Sequence, residues 1–322
     1  MQGDVVVGTS SWADPGFVEE WYPDGLASRD RLAFYAERFR GVEVNSSWYA
    51  LPSQPTVARW AGQTPEHFTF DVKLHRLLTR HAAGLDSLPR DLRERVDVGS
   101  RGRVVLTEAL QDELVDRLLD ALAPLREAGR LACLLCQLTP AFAPGEHDLD
   151  ELASLVQACA PHPVAVELRH RAWFEGERRA TALAWMREHR AALVGTDGPT
   201  GTAPTLVPAV DAATHPDVAY LRAHGRDAHA FLHGRTVAER FAYDYADEEL
   251  RELVGRARAL AGQVPSVRLQ FNNNRGSDAP RAARRTRELL GEDPGPPPPR
   301  APPARARADA GEQLGLLDGA RA

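Results

Sequence analysis

The sequence is short of cysteine, of long apolar runs and of net charge, and each shortage excludes a class of protein. Three cysteines in 322 residues are too few for a disulfide framework. No apolar run approaches the roughly 18 residues of a membrane span, and the N-terminus lacks the apolar segment of a signal peptide. The net charge of −6 gives no overall basic footprint for nucleic acid, although it leaves room for local patches. We therefore predict a soluble, cytoplasmic protein.

The motifs that identify common reactions are also missing. The sequence contains no P-loop, no H-E-x-x-H and no G-x-S-x-G, and no glycine-rich fingerprint follows its first strand-like run. Cys133 and Cys136 have C-x-x-C spacing. On a strand, however, positions i and i+3 face opposite sides, so we do not expect these thiols to share a metal.

What the sequence does contain is a series of eight strand-like runs. In residues 163–173, for example, Val164, Val166 and Leu168 alternate with Ala165, Glu167 and Arg169, which is the period of a β-strand. Each run is apolar on one face and polar toward its C-terminal end. The polar residues of the other seven runs are Ser10 or Ser11, Glu43 with Asn45, Asp71 with Lys73, Gln137, Asp197, Arg222 with His224, and Arg268 with Gln270 and Asn272.

Helical patterns separate most of these runs, so the fold class is α/β. Strands joined by long crossovers imply an all-parallel sheet, and eight such units favour a (β/α)₈ TIM-type barrel over an open doubly wound sheet. We predict loops at residues 12–25 and 198–217, the latter covering the strand ends. The barrel should span residues 1–290. Residues 291–322 are rich in Pro, Ala and Arg, which predicts a disordered tail.

Several segments also carry a family resemblance: GTSSWAD, WYPDGL, VEVNSSWYALP, QLTPAF, VELRHRAW, YLRAHG and FNNNRG. In this order they resemble the YecE-like family, also called domain of unknown function 72, whose members resemble TIM barrels. The resemblance implies the fold but no general activity. The sequence departs from the family pattern at Thr79-Arg80-His81, where the family more often has a Thr-His pair, which leaves a role for His81 open.

Because catalytic groups of such barrels lie at the C-terminal ends of the strands, we predict one polar pocket there. The candidates for proton transfer are Glu43, Glu167, His224 and Asp197. The candidates for substrate binding are Asn45, Lys73, Gln137, Arg169, Arg222, Asn272, Trp12 and Tyr49. Arginine and lysine suit phosphate or carboxylate groups, and the carboxylates and histidine suit acid–base catalysis. The expected function is hydrolase- or lyase-like chemistry on an anionic, phosphorylated, nucleotide or nucleic-acid substrate.

Other interpretations of these residues stay open. The charges could form a lattice that only fills the barrel, with Glu167 paired to Arg222 and Asp71 paired to Lys73. The tryptophans could pack beneath loops. The carboxylates and His224 could also bind a divalent metal, but neighbouring Lys and Arg residues already neutralise the acidic groups. We therefore assign no metal ligands and leave the cofactor unknown.

The tail suggests a second class of function. Its QLGLL peptide resembles the motif by which bacterial repair proteins and polymerases bind the DNA sliding clamp, through Gln313, Leu314, Leu316 and Leu317. Leu317 replaces the usual Phe, which should weaken binding. On this alternative the chain is a clamp-tethered DNA-repair protein without catalysis. Arginines of the last predicted helix would then contact phosphates, namely Arg281, Arg284, Arg285 and Arg287.

Overall fold

The protein is described by a computed structural model over residues 2–273 and 275–297. In this range eight parallel strands form a nearly closed barrel, with strand order β1-β8-β7-β6-β5-β4-β3-β2. The predicted TIM-type fold is confirmed. The strands are β1 (Asp4–Thr9), β2 (Gly41–Val44), β3 (Thr69–Lys73), β4 (Leu131–Gln137), β5 (Val164–Glu167), β6 (Ala191–Asp197), β7 (Val218–Ala223) and β8 (Ser266–Phe271).

Helices surround the barrel and follow most strands. They are α1 (Pro15–Glu20), α2 (Arg31–Ala36), α3 (Gln54–Gly62), α4 (Glu108–Ala121), α5 (Ala123–Glu127), α6 (Ala153–Ala158), α7 (Glu177–Glu188), α8 (Ala228–His233), α9 (Val237–Arg240), α10 (Asp247–Ala261) and α11 (Asp278–Leu290). The prediction that residues 12–25 form only a loop was wrong, because they contain α1. The sequence feature that indicates this helix is Asp14 followed by Pro15. In the structure Asp14 accepts from the Gly16 amide as the N-cap, and Pro15 occupies the first turn.

The barrel closes between β1 and β2 through close packing and side-chain bonds. A Cβ atom at Gly8 would collide with the Gly41 carbonyl oxygen, so the backbones approach each other where only glycine fits. The buried Tyr35 hydroxyl, from α2, accepts from the Thr9 amide at 2.9 Å and donates to the Gly41 carbonyl at 3.3 Å. Asn45 donates to the Ser10 carbonyl. These bonds stand in for ladder hydrogen bonds at this seam.

The interior of the barrel holds an apolar cluster and a network of charged side chains. The apolar cluster is made of Cys133, Leu135, Ala165, Ala192, Val194, Val218 and Tyr220. Cys136 instead belongs to the larger cluster between strands and helices, so the two cysteines of the C-x-x-C face opposite sides, as predicted. The charged side chains meet beside this cluster, and Glu167 and Arg222 lie at or near the C-terminal ends of β5 and β7.

Two further segments bear on the mouth and on the tail. Residues 198–217 contain neither helix nor strand, and the Arg171 amide donates to the Pro204 carbonyl at 2.8 Å, which holds this segment beside β5. Residues 291–297 contact the barrel, since Arg284 donates to the Gly295 and Pro296 carbonyls at 2.9 Å. Residues 298–322, including the QLGLL peptide, lie outside the described residues. Among the helices of the described ranges, none has the length and apolarity needed to cross a membrane.

Candidate functional site at the barrel mouth

Arg222, on β7, is the centre of the charged network. Its Nε donates to Glu43 Oε2 at 2.9 Å, and its Nη2 donates to Glu43 Oε1 at 2.6 Å. Its Nη1 donates to Glu167 Oε2 at 2.6 Å. Glu43 is on β2 and Glu167 on β5, so one guanidinium joins carboxylates from opposite sides of the barrel. Both carboxylates are fully buried, and Arg222 is almost so.

Glu167 accepts from several donors besides Arg222. Its Oε1 atom lies 3.0 Å from Gln137 Nε2, 3.3 Å from His224 Nε2 and 3.3 Å from Arg169 Nη1. Burial acts to raise the pKa of Glu167, but Arg222, His224 and Arg169 outweigh it and hold the pKa well below its ordinary value. A carboxylate held ionised in this way is a weak proton acceptor at neutral pH.

His224 has protein partners at both ring nitrogens. Arg222 Nη2 lies 3.4 Å from Asn272 Oδ1, so the Asn272 amide nitrogen faces His224 Nδ1 at 3.0 Å. Nδ1 therefore accepts, and Nε2 carries the proton and donates to Glu167. Burial lowers the pKa of His224, which keeps the ring neutral. His224 thus orients Glu167, and neither of its nitrogens is free for a substrate.

Beneath this group lies a second ion pair, between Asp71 of β3 and Arg268 of β8. Arg268 Nε is 2.9 Å from Asp71 Oδ1, and Gln270 donates to Asp71 Oδ2 at 2.8 Å. The Tyr220 hydroxyl is 3.0 Å from Glu43 Oε2 and 3.1 Å from Asp71 Oδ2, so it links the two groups. The pairing of Asp71 with Lys73, which the alternative of a charge lattice included, is not found, because the Asp71 carboxylate is bonded to neighbours from β7 and β8.

Lys73, at the end of β3, is left without an acidic partner. Within the described ranges, its ammonium makes no hydrogen bond and has no carboxylate at ion-pair distance. Its Nζ lies 5.2 Å from the centre of the Trp48 ring. Burial and the nearby Arg222 lower the pKa of Lys73 to about 7, against the opposing effect of Glu43 and Glu167. At neutral pH a large share of this side chain is therefore the uncharged amine.

A basic and aromatic rim surrounds Lys73. Arg76 lies over the Trp48 ring at 4.6 Å, and the His81 ring meets the same indole edge-on at 5.1 Å. Burial, followed by Lys73 and Arg169, lowers the pKa of His81 to about 4. Asn45 Oδ1, Trp48 Nε1 and Arg76 Nε are buried atoms without a hydrogen-bond partner in the described ranges, and such atoms are uncommon unless a ligand or water completes them.

A small cleft lies beside Arg169, between the ends of β5, β6 and β7. Arg169, Thr196, His224 and Phe231 line it together with residues of the 198–217 segment, including Leu206. The segment therefore covers these strand ends, as predicted. The Arg169 side chain is 15% exposed. Glu167, its acidic neighbour, lies 3.3 Å from Arg169 and 2.6 Å from Arg222, so Arg169 is the more weakly paired of these two arginines.

Several predicted residues lie elsewhere or are engaged by the protein. Asp197 is bonded to Arg226, Arg256 and Tyr245 outside the barrel, so it does not join the mouth. Trp12 packs edge-on against Trp60, with ring centres 5.5 Å apart, which is a packing role. Tyr49 is 61% exposed at the rim. Glu43, Gln137, Arg222 and Asn272 belong to the network around Glu167 and Arg222.

The arginines of α11 are also engaged by the protein. Arg281 contacts Asp244 and Asp278, and Arg284 contacts the backbone carbonyls of residues 294–296. Arg285 contacts Asp247 and Glu288, and Arg287 contacts Glu292. Partners of this kind reduce the charge available to a DNA phosphate, so the structure gives no support to the predicted phosphate contacts.

Comparisons with known proteins give the family. The sequence profile described as "Protein of unknown function DUF72" matches residues 6–306. The chain belongs to the DUF72 family. It is 27% identical to UPF0759 protein YunF of Bacillus subtilis over 293 residues, covering 89% of this chain and 94% of that protein. It is 30% identical to UPF0759 protein YecE of Escherichia coli over 183 residues, or 55% of this chain and 53% of YecE.

Solved structures of the DUF72 family confirm the fold. A DUF72 protein from Thermotoga maritima superposes with a TM-score of 0.71 at 27% identity, over 89% of this chain and 99% of the other. One from Enterococcus faecalis gives a TM-score of 0.73 at 24% identity, over 90% and 96%. None of these relatives is named for an activity.

The sequence prediction included Lys73 but did not use the scarcity of lysine in this DUF72 chain, which singles that residue out. The chain has 39 Lys and Arg residues, and Lys73 is the only lysine among them. The Tyr220 hydroxyl was also missed, although Tyr220, Arg222 and His224 share one face of β7 by alternation. Within residues 2–273 and 275–297, no three His, Cys, Asp or Glu side chains come together in an arrangement that could hold a metal ion.

Proposed function

We propose that the chain is an enzyme that binds an anionic substrate at the barrel mouth and performs lyase- or hydrolase-like acid–base chemistry there, with Lys73 as the reactive group. The observation that carries the proposal is the position of Lys73. It is the one lysine of the chain, it lies at a strand end where such barrels carry their catalytic groups, and the described carboxylates near it are engaged by arginines.

The charge balance of the mouth favours an anion. The three buried carboxylates, Glu43, Asp71 and Glu167, face Arg222, Arg268 and Arg169, so the charge of Lys73 is in excess when it is protonated. Arg76 adds a further cation at the rim. Guanidinium groups bind carboxylate and phosphate through paired N–H donors. Arg169 is the candidate for this role, because its side chain is partly exposed and lines the cleft.

Lys73 is the side chain of the mouth that is best suited to proton transfer. An efficient acid–base group has a pKa near the working pH, and burial brings the pKa of Lys73 to about 7. Glu167 has a pKa well below its usual range, and both His224 nitrogens are bonded within the protein. The roles that these two side chains best support are to position Arg169 and to hold the charges of the network in place.

The test is ligand-induced stabilisation. Inorganic phosphate, sugar phosphates, nucleotides and small carboxylic acids are titrated against the protein, and the melting temperature is followed, since a ligand that binds only the folded state raises it. We expect at least one anion to raise the melting temperature of the wild type, and Lys73→Met and Arg169→Met to reduce that shift. Arg178→Met, on the exposed surface of α7, is the control. No shift with any anion, or equal shifts in all variants, would contradict the proposal.

The second candidate function is the clamp-tethered DNA-repair protein, and its support is the QLGLL sequence itself. If the tail binds the clamp, a pull-down with the bacterial sliding clamp should recover the full chain. The double substitution Leu316→Ala/Leu317→Ala should reduce recovery at least tenfold, because it removes the apolar anchors. Equal recovery of both proteins would remove this candidate.

A further inference from the structure

The chemical difference between lysine and arginine gives Lys73 its significance. Arginine cannot lose its proton in proteins, whereas a buried lysine can become a neutral amine and act as a nucleophile. Elsewhere in this chain positive charge is supplied by arginine, including the cations that bind Glu43, Glu167 and Asp71. Position 73 carries the side chain that can be both a cation and an amine.

The surroundings of Lys73 leave its amine available. Charged groups face it from several strands: Glu43 of β2, Glu167 of β5, Arg169 just beyond β5, and Arg222 of β7. Arg222 engages both of these carboxylates at 2.6 Å, which prevents either from fixing the proton on Lys73. Trp48 covers one side of the amine with an apolar ring. Lys73 is neither fully buried nor fully exposed.

Arg76 and Arg169 bring further positive charge to the surroundings of the amine. Arg76 lies over the same Trp48 ring as Lys73, at 4.6 Å, and Arg169, which is 3.3 Å from Glu167, is among the charges that act on Lys73. A small molecule whose carboxylate or phosphate is bound by Arg169 would direct its other end toward Nζ. Holding a substrate by one charged group while a neighbouring group reacts is how binding energy is used for orientation.

We infer that Lys73 forms an imine with an anionic carbonyl compound, an oxo acid or an aldehyde phosphate, held in the mouth by Arg169. This inference rests on the proposed function and names its substrate class. The Nζ lone pair attacks the carbonyl carbon and the C=O π bond breaks, giving a carbinolamine. The carbinolamine then loses its hydroxyl as water. Overall, one neutral amine, one carbonyl compound and one proton from solvent give one iminium ion and one water molecule.

The imine would explain why lyase-like chemistry suits this site. An iminium withdraws electrons from the bonds beside it, so a neighbouring C–H or C–C bond breaks more readily than in the free carbonyl compound. The reaction requires no external oxidant or reductant.

Reductive trapping tests the inference directly. The full chain is incubated at pH 7 with sodium cyanoborohydride and one of three anionic probes: pyruvate, glyoxylate or glycolaldehyde phosphate. Uncharged glycolaldehyde is the matched control probe. Because the chain has one lysine, peptide mass mapping separates modification of Lys73 from that of the N-terminal amine. An unstructured synthetic peptide of residues 69–76 gives the reactivity of the same lysine without the fold.

We expect at least one anionic probe to modify Lys73 in the folded protein at least tenfold faster than it modifies the peptide. Glycolaldehyde should show no such gain, and Arg169→Met should reduce the gain. Lys73→Arg, which keeps the cation, should retain anion-induced stabilisation but show modification at the N-terminus alone. Equal rates in protein and peptide for all three anionic probes would overturn the inference.

The two proposals can fail separately. If phosphate or lactate stabilises the wild type but no anionic probe is trapped at Lys73, the imine is wrong and the anion-binding mouth stands. If no anion stabilises the wild type and no probe is trapped, both are wrong. The wild-type measurements with anionic and uncharged probes decide the matter even if a variant does not fold.

Discussion

At the scale of single residues, the number of partners decides what a charge in this barrel can do. Glu167 has donors from Gln137, Arg169, Arg222 and His224, so it is ionised and structurally committed. Lys73 has no acidic partner among the described residues, so its proton is easily lost. Both side chains lie at polar strand ends, so the sequence does not show which of them is paired. Their neighbours from other strands decide it.

Replacing Glu167 with Gln should destabilise the protein by about 3–5 kcal/mol at neutral pH, because it leaves buried arginines without part of their countercharge. The pKa of Glu167 in the folded protein is well below the unfolded value of about 4.3. Its contribution is therefore complete above that value and is lost as the pH falls through the lower folded pKa. Urea unfolding at several pH values measures the difference.

Glu113→Gln is the matched control for Glu167→Gln. Glu113 pairs with Arg117 at 2.6 Å on α4, but its side chain is 39% exposed. Its loss should cost at most about 1 kcal/mol, as for other surface ion pairs. A cost for Glu167→Gln no greater than that for Glu113→Gln would show that the buried network adds little to stability.

At the scale of elements, the junction of β1 and β2 is where the barrel depends on side chains. The seven other pairs of neighbouring strands, including β1 and β8, are joined by parallel ladders. At the seam the Tyr35 hydroxyl satisfies the Thr9 amide and the Gly41 carbonyl. A helix residue thus completes the bonding of two strands, which ties α2 to the closure of the sheet.

Tyr35→Phe should destabilise the protein by about 1–3 kcal/mol, because it leaves buried backbone groups without a hydrogen bond while preserving the ring. Tyr49→Phe removes the same hydroxyl from a residue that is 61% exposed, and its effect should stay within about 0.5 kcal/mol. Equilibrium unfolding in urea compares both variants with the wild type. Equal stability of Tyr35→Phe and Tyr49→Phe would show that the seam does not need this hydroxyl.

At the scale of the whole molecule, the single lysine links global stability to pH. The pKa of Lys73 is about 7 in the folded protein and about 10.4 when unfolded. Between these values the unfolded chain binds the additional proton, so this group makes stability rise with pH. Burial raises the pKa of the Cys133, Cys136 and Cys159 thiols, which has the opposite effect, so a variant is needed to isolate the lysine.

The free energy of unfolding of the wild type minus that of Lys73→Met should therefore increase between about pH 7 and pH 10, by up to about 1.4 kcal/mol per pH unit. Other titrating groups are shared and cancel in the difference. Denaturant unfolding at pH 6, 7, 8, 9 and 10 measures it. A difference that does not change with pH would mean that Lys73 titrates in the folded state as it does in the unfolded chain.

Most of the fold could be predicted from the sequence, because alternation along the eight runs and crossover lengths between them are local properties. The same alternation placed Glu43, Glu167 and Arg222 on inward faces, and the ion pair of Arg222 with Glu167 was foreseen as an alternative. The sequence alone could not show that Asp197 lies outside the mouth. Alternation along β6 does not say which of its two faces points inward, and the partners of Asp197 outside the barrel are seen only in the tertiary structure.

By itself, then, the sequence determined the parallel barrel, the polar layer at the ends of its strands and the presence of one lysine. Only the tertiary structure decided which charges neutralise one another. Pairing depends on distances between side chains of strands far apart in the chain, as when Asp71 binds Arg268 instead of Lys73 two residues away. That choice left the Lys73 amine without a paired carboxylate among the described residues, and burial and Arg222 then lowered its pKa toward neutrality.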